Sequence, residues 1–166
     1  MMNNILAQQF LKELEAEAPA SKKCLERIPA ELFDWKPHEK SMKMGYLAAI
    51  VAEVPRWIST AIEAGEVNFG TFKHAEPKDG AGLVAEFEKN MEAARKVLGK
   101  ASDEDLAAMF HLKMGDKVLM SDTKLNTVSS SINHLVHHRG QLTVYMRLKD
   151  IPVPSIYGPS ADDKSW

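Results

Sequence analysis

Apolar side chains recur at helical spacing through Ile5, Leu11, Leu14, Ala18, Leu25 and Ile28, which gathers them on one face of a helix. Pro29 ends the pattern, and Pro19 is where a bend is expected. No period is visible from Pro29 to Ser41; Trp35, Pro37 and His38 read as a connection that packs one aromatic ring and leaves His38 in solvent. A second stripe, through Met44, Leu47, Val51, Val54, Ile58 and Ile62, predicts a helix from about Lys43 to Ala64, with Ser41 as its N-cap and a bend at Pro55. After a Gly-containing loop, Leu83, Phe87, Met91, Ala94 and Leu98 predict a third helix that Gly99 closes.

Residues 101–122 break the rhythm. Ser102-Asp103-Glu104-Asp105 has the form of a helix start and Met114-Gly115-Asp116-Lys117 that of a turn between short extended pieces, so the stretch reads as an irregular excursion. A fourth helix begins near Thr123, carries Val128, Ile132, Leu135, Leu142 and Met146 on its core stripe, and ends around Lys149-Asp150. Pro152, Pro154 and Pro159 forbid further helix, which makes IPVPSIYGPSADD an extended tail on the bundle. The predicted architecture is all-α: one four-helix domain over residues 1–166 with an extended Pro-rich C-terminal tail.

Charge and composition narrow the partners. Lys and Arg number 21 against 23 Asp and Glu, with the signs mixed, so no basic stripe exists to follow a phosphate backbone and no nucleic-acid partner is expected. The longest apolar run, Tyr46 to Ala52, is too short to span a bilayer, and MMNNILAQQF lacks the basic-then-apolar order of an export signal. The expectation is a cytoplasmic protein with no membrane association. Cys24, the single cysteine, reads as a small packing residue.

The segment richest in chemistry is Ile132-Asn133-His134-Leu135-Val136-His137-His138-Arg139-Gly140-Gln141. On a helix, His134 and His138 differ by about 40° in direction and about 6 Å in height, so both imidazoles can reach one ion. Neutral imidazole is a common ligand of zinc, nickel, copper and iron, and such a pair makes half a site. The same spacing also arises in helices whose histidines only make hydrogen bonds, and spacing alone favours that plainer reading. With Val128 at the centre of the core stripe, His134, His138, Gln141 and Tyr145 share a sector facing an interhelical groove, while His137 points to the surface. Arg139 falls on the apolar stripe and needs carboxylate or carbonyl partners to offset its desolvation. Gly140 would let a neighbouring helix or a second subunit approach closely. His74 and His111 read as solvated.

HLVHHRGQL with the IPVPSIYGPSADD tail, together with SMKMGYLAAIVAEVPRW, resembles the DinB family, and the likeness covers nearly the whole chain. The resemblance implies an up-down-down-up four-helix bundle, often a homodimer, with a divalent metal held by three histidines; relatives include thiol-dependent S-transferases and a mycothiol-dependent isomerase. His134 and His138 match the two ligands of the last helix. The third does not carry over: the family's histidine, three residues after the leucine that matches Leu47, is Ile50 here, which has no lone pair. Three readings stay open. Glu53, one turn on, supplies a replacement ligand, unless it pairs with Arg139; His134 and His138 hold zinc or nickel weakly with water or a partner completing the shell; or no metal is bound and the bundle takes a small-molecule or thiol ligand, or simply dimerises. With Glu53 or water completing the shell, the alternative function is that of a metal-dependent enzyme related to the thiol S-transferases.

Overall fold

The structure, a computed structural model, describes residues 3–165. The long helices are α1 (Ile5–Glu26), α2 (Met44–Ala64), α3 (Gly80–Leu98) and α5 (Lys124–Leu148), with a short α4 (Asp103–Ala107) and strands β1 (Glu66–Asn68), β2 (Met109–Met114) and β3 (Lys117–Thr123). The long helices pack as a ring in the order α1, α3, α2, α5, with α1 and α2 facing each other across it. Their inward stripes close a core that includes Leu14, Leu25, Leu47, Val51, Ile58, Leu83, Phe87, Leu98, Val128, Leu135 and Leu142. The axial helix is α2: its buried residues run almost without a break from Met44 to Pro55, so even its flanking positions, Ile50 and Glu53, are shielded from water.

The all-α expectation is overturned. Five helices and a three-stranded mixed sheet stand among the described residues, the sheet ordered β1-β2-β3. The irregular excursion is α4 followed by a hairpin. Ser102 and Asp105 form a reciprocal cap that starts α4, as the sequence signals. Met114 pairs with Lys117 across a two-residue loop, where Gly115 takes φ +59°, the left-handed conformation that a tight hairpin turn requires. The strand that escapes local reading is β1, only three residues long, which pairs parallel to β2 with Val67 opposite Leu112. Strands this short carry no measurable alternation and form only because a partner edge is present. Val67 and Phe110 bury against Ala61 of α2 and fix the sheet to that end of the bundle.

Local departures are small. Lys43, not Ser41, occupies the N-cap of α2, and no side chain caps it. Ile5 is exposed because it lies at the start of α1, and the true stripe there runs through Ala7, Leu14, Ala18, Ser21 and Leu25. Both Pro19 and Pro55 lie inside continuous helices. The tail is held in place: Arg27 donates to the Pro152 carbonyl, and Arg147 pairs with Asp162, which also accepts from the Val153 amide.

Candidate functional site

Thr123 caps α5 by accepting from the Asn126 amide, and the helix then runs unbroken through the histidine segment. His134 Nε2 and His138 Nε2 face each other at 2.6 Å. His138 Nδ1 lies 2.8 Å from Gln141 Oε1, so it donates there, and in its neutral form His138 directs a bare Nε2 at His134. Two nitrogens so placed hold one proton between them or offer their lone pairs to one cation. Burial first, then the neighbouring His138 and His137, push the His134 pKa below the ordinary histidine value, which keeps the ring neutral as a ligand must be. His137 is exposed, as expected. Tyr145 faces away from the pair, donating to the Met42 carbonyl and meeting the Trp35 ring edge-on at 5.7 Å.

The wall opposite comes from α2. The Trp57 ring meets His134 edge-to-face at 5.1 Å between centroids, and its indole N–H donates to Glu53 Oε1 at 3.3 Å. Glu53 Oε2 lies 2.9 Å from His74 Nδ1, so both oxygens of this 1 % exposed side chain are engaged. His74 is therefore not free in solvent: it ties the loop before α3 to the middle of α2. A partner 21 residues away in a loop without a period leaves no trace in a local pattern. Ile50, at the position where the resemblance puts a third ligand, is 8 % exposed. Among the described residues no three His, Cys, Asp or Glu side chains stand together in a way that could hold a metal ion. His134 and His138 contact each other, while Glu53 contacts Trp57 and His74.

Beside the pair, between the sheet and the helices, lies a cavity of about 210 Å³. Trp57, Val67, Phe69, Phe110, Leu112 and Met120 make its apolar walls, and Asp122, Asn126, Thr127, Ser130, Ser131 and His134 its polar edge. The sequence offers no signal for this cavity, because its walls come from five elements, α2, β1, β2, β3 and α5.

Arg139 is 1 % exposed and fully partnered: a 2.6 Å ion pair to Glu17, hydrogen bonds to the Glu17 carbonyl and Ser21 Oγ, and a third to Tyr157 Oη of the tail. Its carboxylate partner is thus Glu17 of α1, not Glu53. Burial pushes the Cys24 thiol up to about 11, which leaves it protonated and inert, a packing residue as expected.

The DinB family model matches residues 1–165. A crystal structure of a DinB-like protein from Bacillus cereus is similar with a TM-score of 0.70 and 23% identity, covering 95% of this chain and 100% of that one. Another DinB-like protein, from Bacillus subtilis, is similar with a TM-score of 0.67 and 18% identity, over 86% of this chain and 92% of that one. At these identities the likeness is one of fold. The uncharacterized protein YrdA of Bacillus subtilis (strain 168) is 53% identical over 32 residues, a match that spans only 19% of either chain.

Proposed function

This chain belongs to the DinB family, and on that premise we propose that it is a small-molecule-binding member whose metal centre is reduced to a two-histidine half-site with weak affinity for zinc or nickel. The observation that carries the reading is the pairing of His134 and His138 at 2.6 Å with Ile50 in the place of the third ligand. Two imidazoles leave most of a cation's shell to water, so affinity is low and nothing fixes an open catalytic position. A replacement ligand from Glu53 would first have to give up its bonds to Trp57 and His74, leaving the indole N–H without its partner in a half-buried setting. The cavity beside His134 supplies the ligand site.

Zinc titration of protein purified without a metal-affinity tag, with elemental analysis alongside, tests the reading. Weak one-site binding is expected, lost in His134→Ala and kept in Glu53→Gln. Tight binding that Glu53→Gln abolishes would overturn it in favour of a three-donor centre.

The same reading takes the protein as a single-domain cytoplasmic homodimer with no nucleic-acid partner. No helix among the described residues is long and apolar enough to cross a membrane. Support for the dimer comes from the outer face of α5: a Cβ at Gly140 would meet nothing within 4 Å, so no element of the same chain explains the glycine, while Val144 and Leu148, at four-residue steps from it, are each 57 % exposed.

A further inference from the structure

Taking as its basis the reading that the cavity beside His134 holds a small molecule, we infer that its ligand is an organic cation: an aromatic or similarly compact apolar body carrying a short ammonium arm. Three aromatic rings, Trp57, Phe69 and Phe110, line this cavity, with Leu112 and Met120 between them. Asp122 is the only carboxylate in the lining, and among the described residues no Lys or Arg joins it. Asp122 Oδ1 is fixed by the Thr123 amide at 2.7 Å and by Asn126 Nδ2 at 2.8 Å. Its other oxygen accepts no hydrogen bond among the described residues. On β2 and α5, which supply part of the lining, Lys113 pairs with Glu66 and Lys124 donates to the Ile62 carbonyl at 2.7 Å.

The charge balance sets the ligand class. A carboxylate or phosphate entering the metal-free cavity would meet the Asp122 carboxylate and no Lys or Arg, so its charge would be opposed rather than balanced. An ammonium meets the free oxygen of Asp122, and the aromatic lining can attract a cation where a ring turns its face to it. Asn126, Thr127 and Ser130 add hydrogen-bond acceptors at the same edge. Size sets the body: an apolar cavity of about 150 Å³ takes a benzene ring, so about 210 Å³ admits a ring with an arm of two or three atoms. The preference also separates this cavity from one built for an anionic thiol cofactor, which would need basic residues on its wall.

Three probes of one shape and different charge test the inference on the full chain: 2-phenylethylamine, 2-phenylethanol and phenylacetate. Each is titrated calorimetrically at pH 8, with the Trp57 indole N–H resonance, assigned with Trp57→Phe, as the site marker. The amine should bind about tenfold tighter than the alcohol, the carboxylate weakest, and all should shift the indole signal. In Asp122→Asn, which keeps the Oδ1 acceptor and removes the charge, the preference for amine over alcohol should fall to within about twofold. Equal or tighter binding of phenylacetate, or a preference that Asp122→Asn leaves intact, overturns the cation assignment while the small-molecule reading stands. If no probe shifts the indole signal, both fall together.

Discussion

On the proposed reading, Ile50 limits what the histidine pair can do. It is buried on α2 and stands, on that reading, beside His134 and His138. Ile50→His should raise zinc affinity by at least tenfold, since each added imidazole replaces a water in a shell the bundle already shapes. The metal-free variant should melt lower than the parent, because a polar ring replaces an aliphatic one, and zinc should restore the loss by binding only the folded state. Calorimetry and melting with and without zinc measure both. Unchanged affinity would mean that position 50 does not face the pair.

His134 carries a second consequence, a pH dependence of the metal-free chain. Its folded pKa lies below the unfolded value, which is about 6.5, chiefly because burial penalises the charged ring. The unfolded state therefore takes up the proton first. The stability contributed by neutral His134 is fully present above the unfolded value and is lost as the pH falls through the lower folded value. Melting temperatures measured with a chelator should drop as the pH falls below the unfolded value, and drop less in His134→Ala. Equal slopes in the two proteins would sink this assignment.

Among the elements, the entry to α2 depends on one close approach. Gly45 donates its amide to the Phe33 carbonyl, and a Cβ there would stand 2.5 Å from the Phe33 ring. Helix propensity alone would make Gly45→Ala stabilising by about 1 kcal/mol. The ring cannot give way cheaply, since Phe33 packs against the core, so overpacking should win and the variant should lose about 1–3 kcal/mol by denaturant unfolding. A gain in stability would show that the connection after α1 is looser than its contacts imply. The hairpin β2–β3 differs along its length. Phe110 of β2 is buried against Ala61 and Val67, whereas Val118, Leu119 and Met120 of β3 are each 47–48 % exposed, so β3 covers the cavity rather than joining the core.

For the molecule as a whole, light scattering across the micromolar range should give a homodimer, and Val144→Glu should give a monomer with an unchanged helical spectrum. A monomeric parent would remove the dimer and leave the fold as it is. The long helices were legible because burial of a helix face writes a period of 3.6 residues into the chain, and proline and glycine mark its ends; α5 begins at Lys124, next to Thr123, near which the sequence places its start. The sector shared by His134, His138 and Gln141 was legible for the same reason, being set by one helix alone. Strand β1, the cavity and the partners of Glu53 and Arg139 were not. Arg139 meets Glu17 across 122 positions and β1 pairs with a strand more than forty residues later, and such contacts follow from how elements stack, which no local period encodes. Residue types and turns fixed which side chains could ligate or pair; the stacking of α2 against α5 and the sheet chose the partners, because a buried charge or edge takes whichever complement the fold brings within reach.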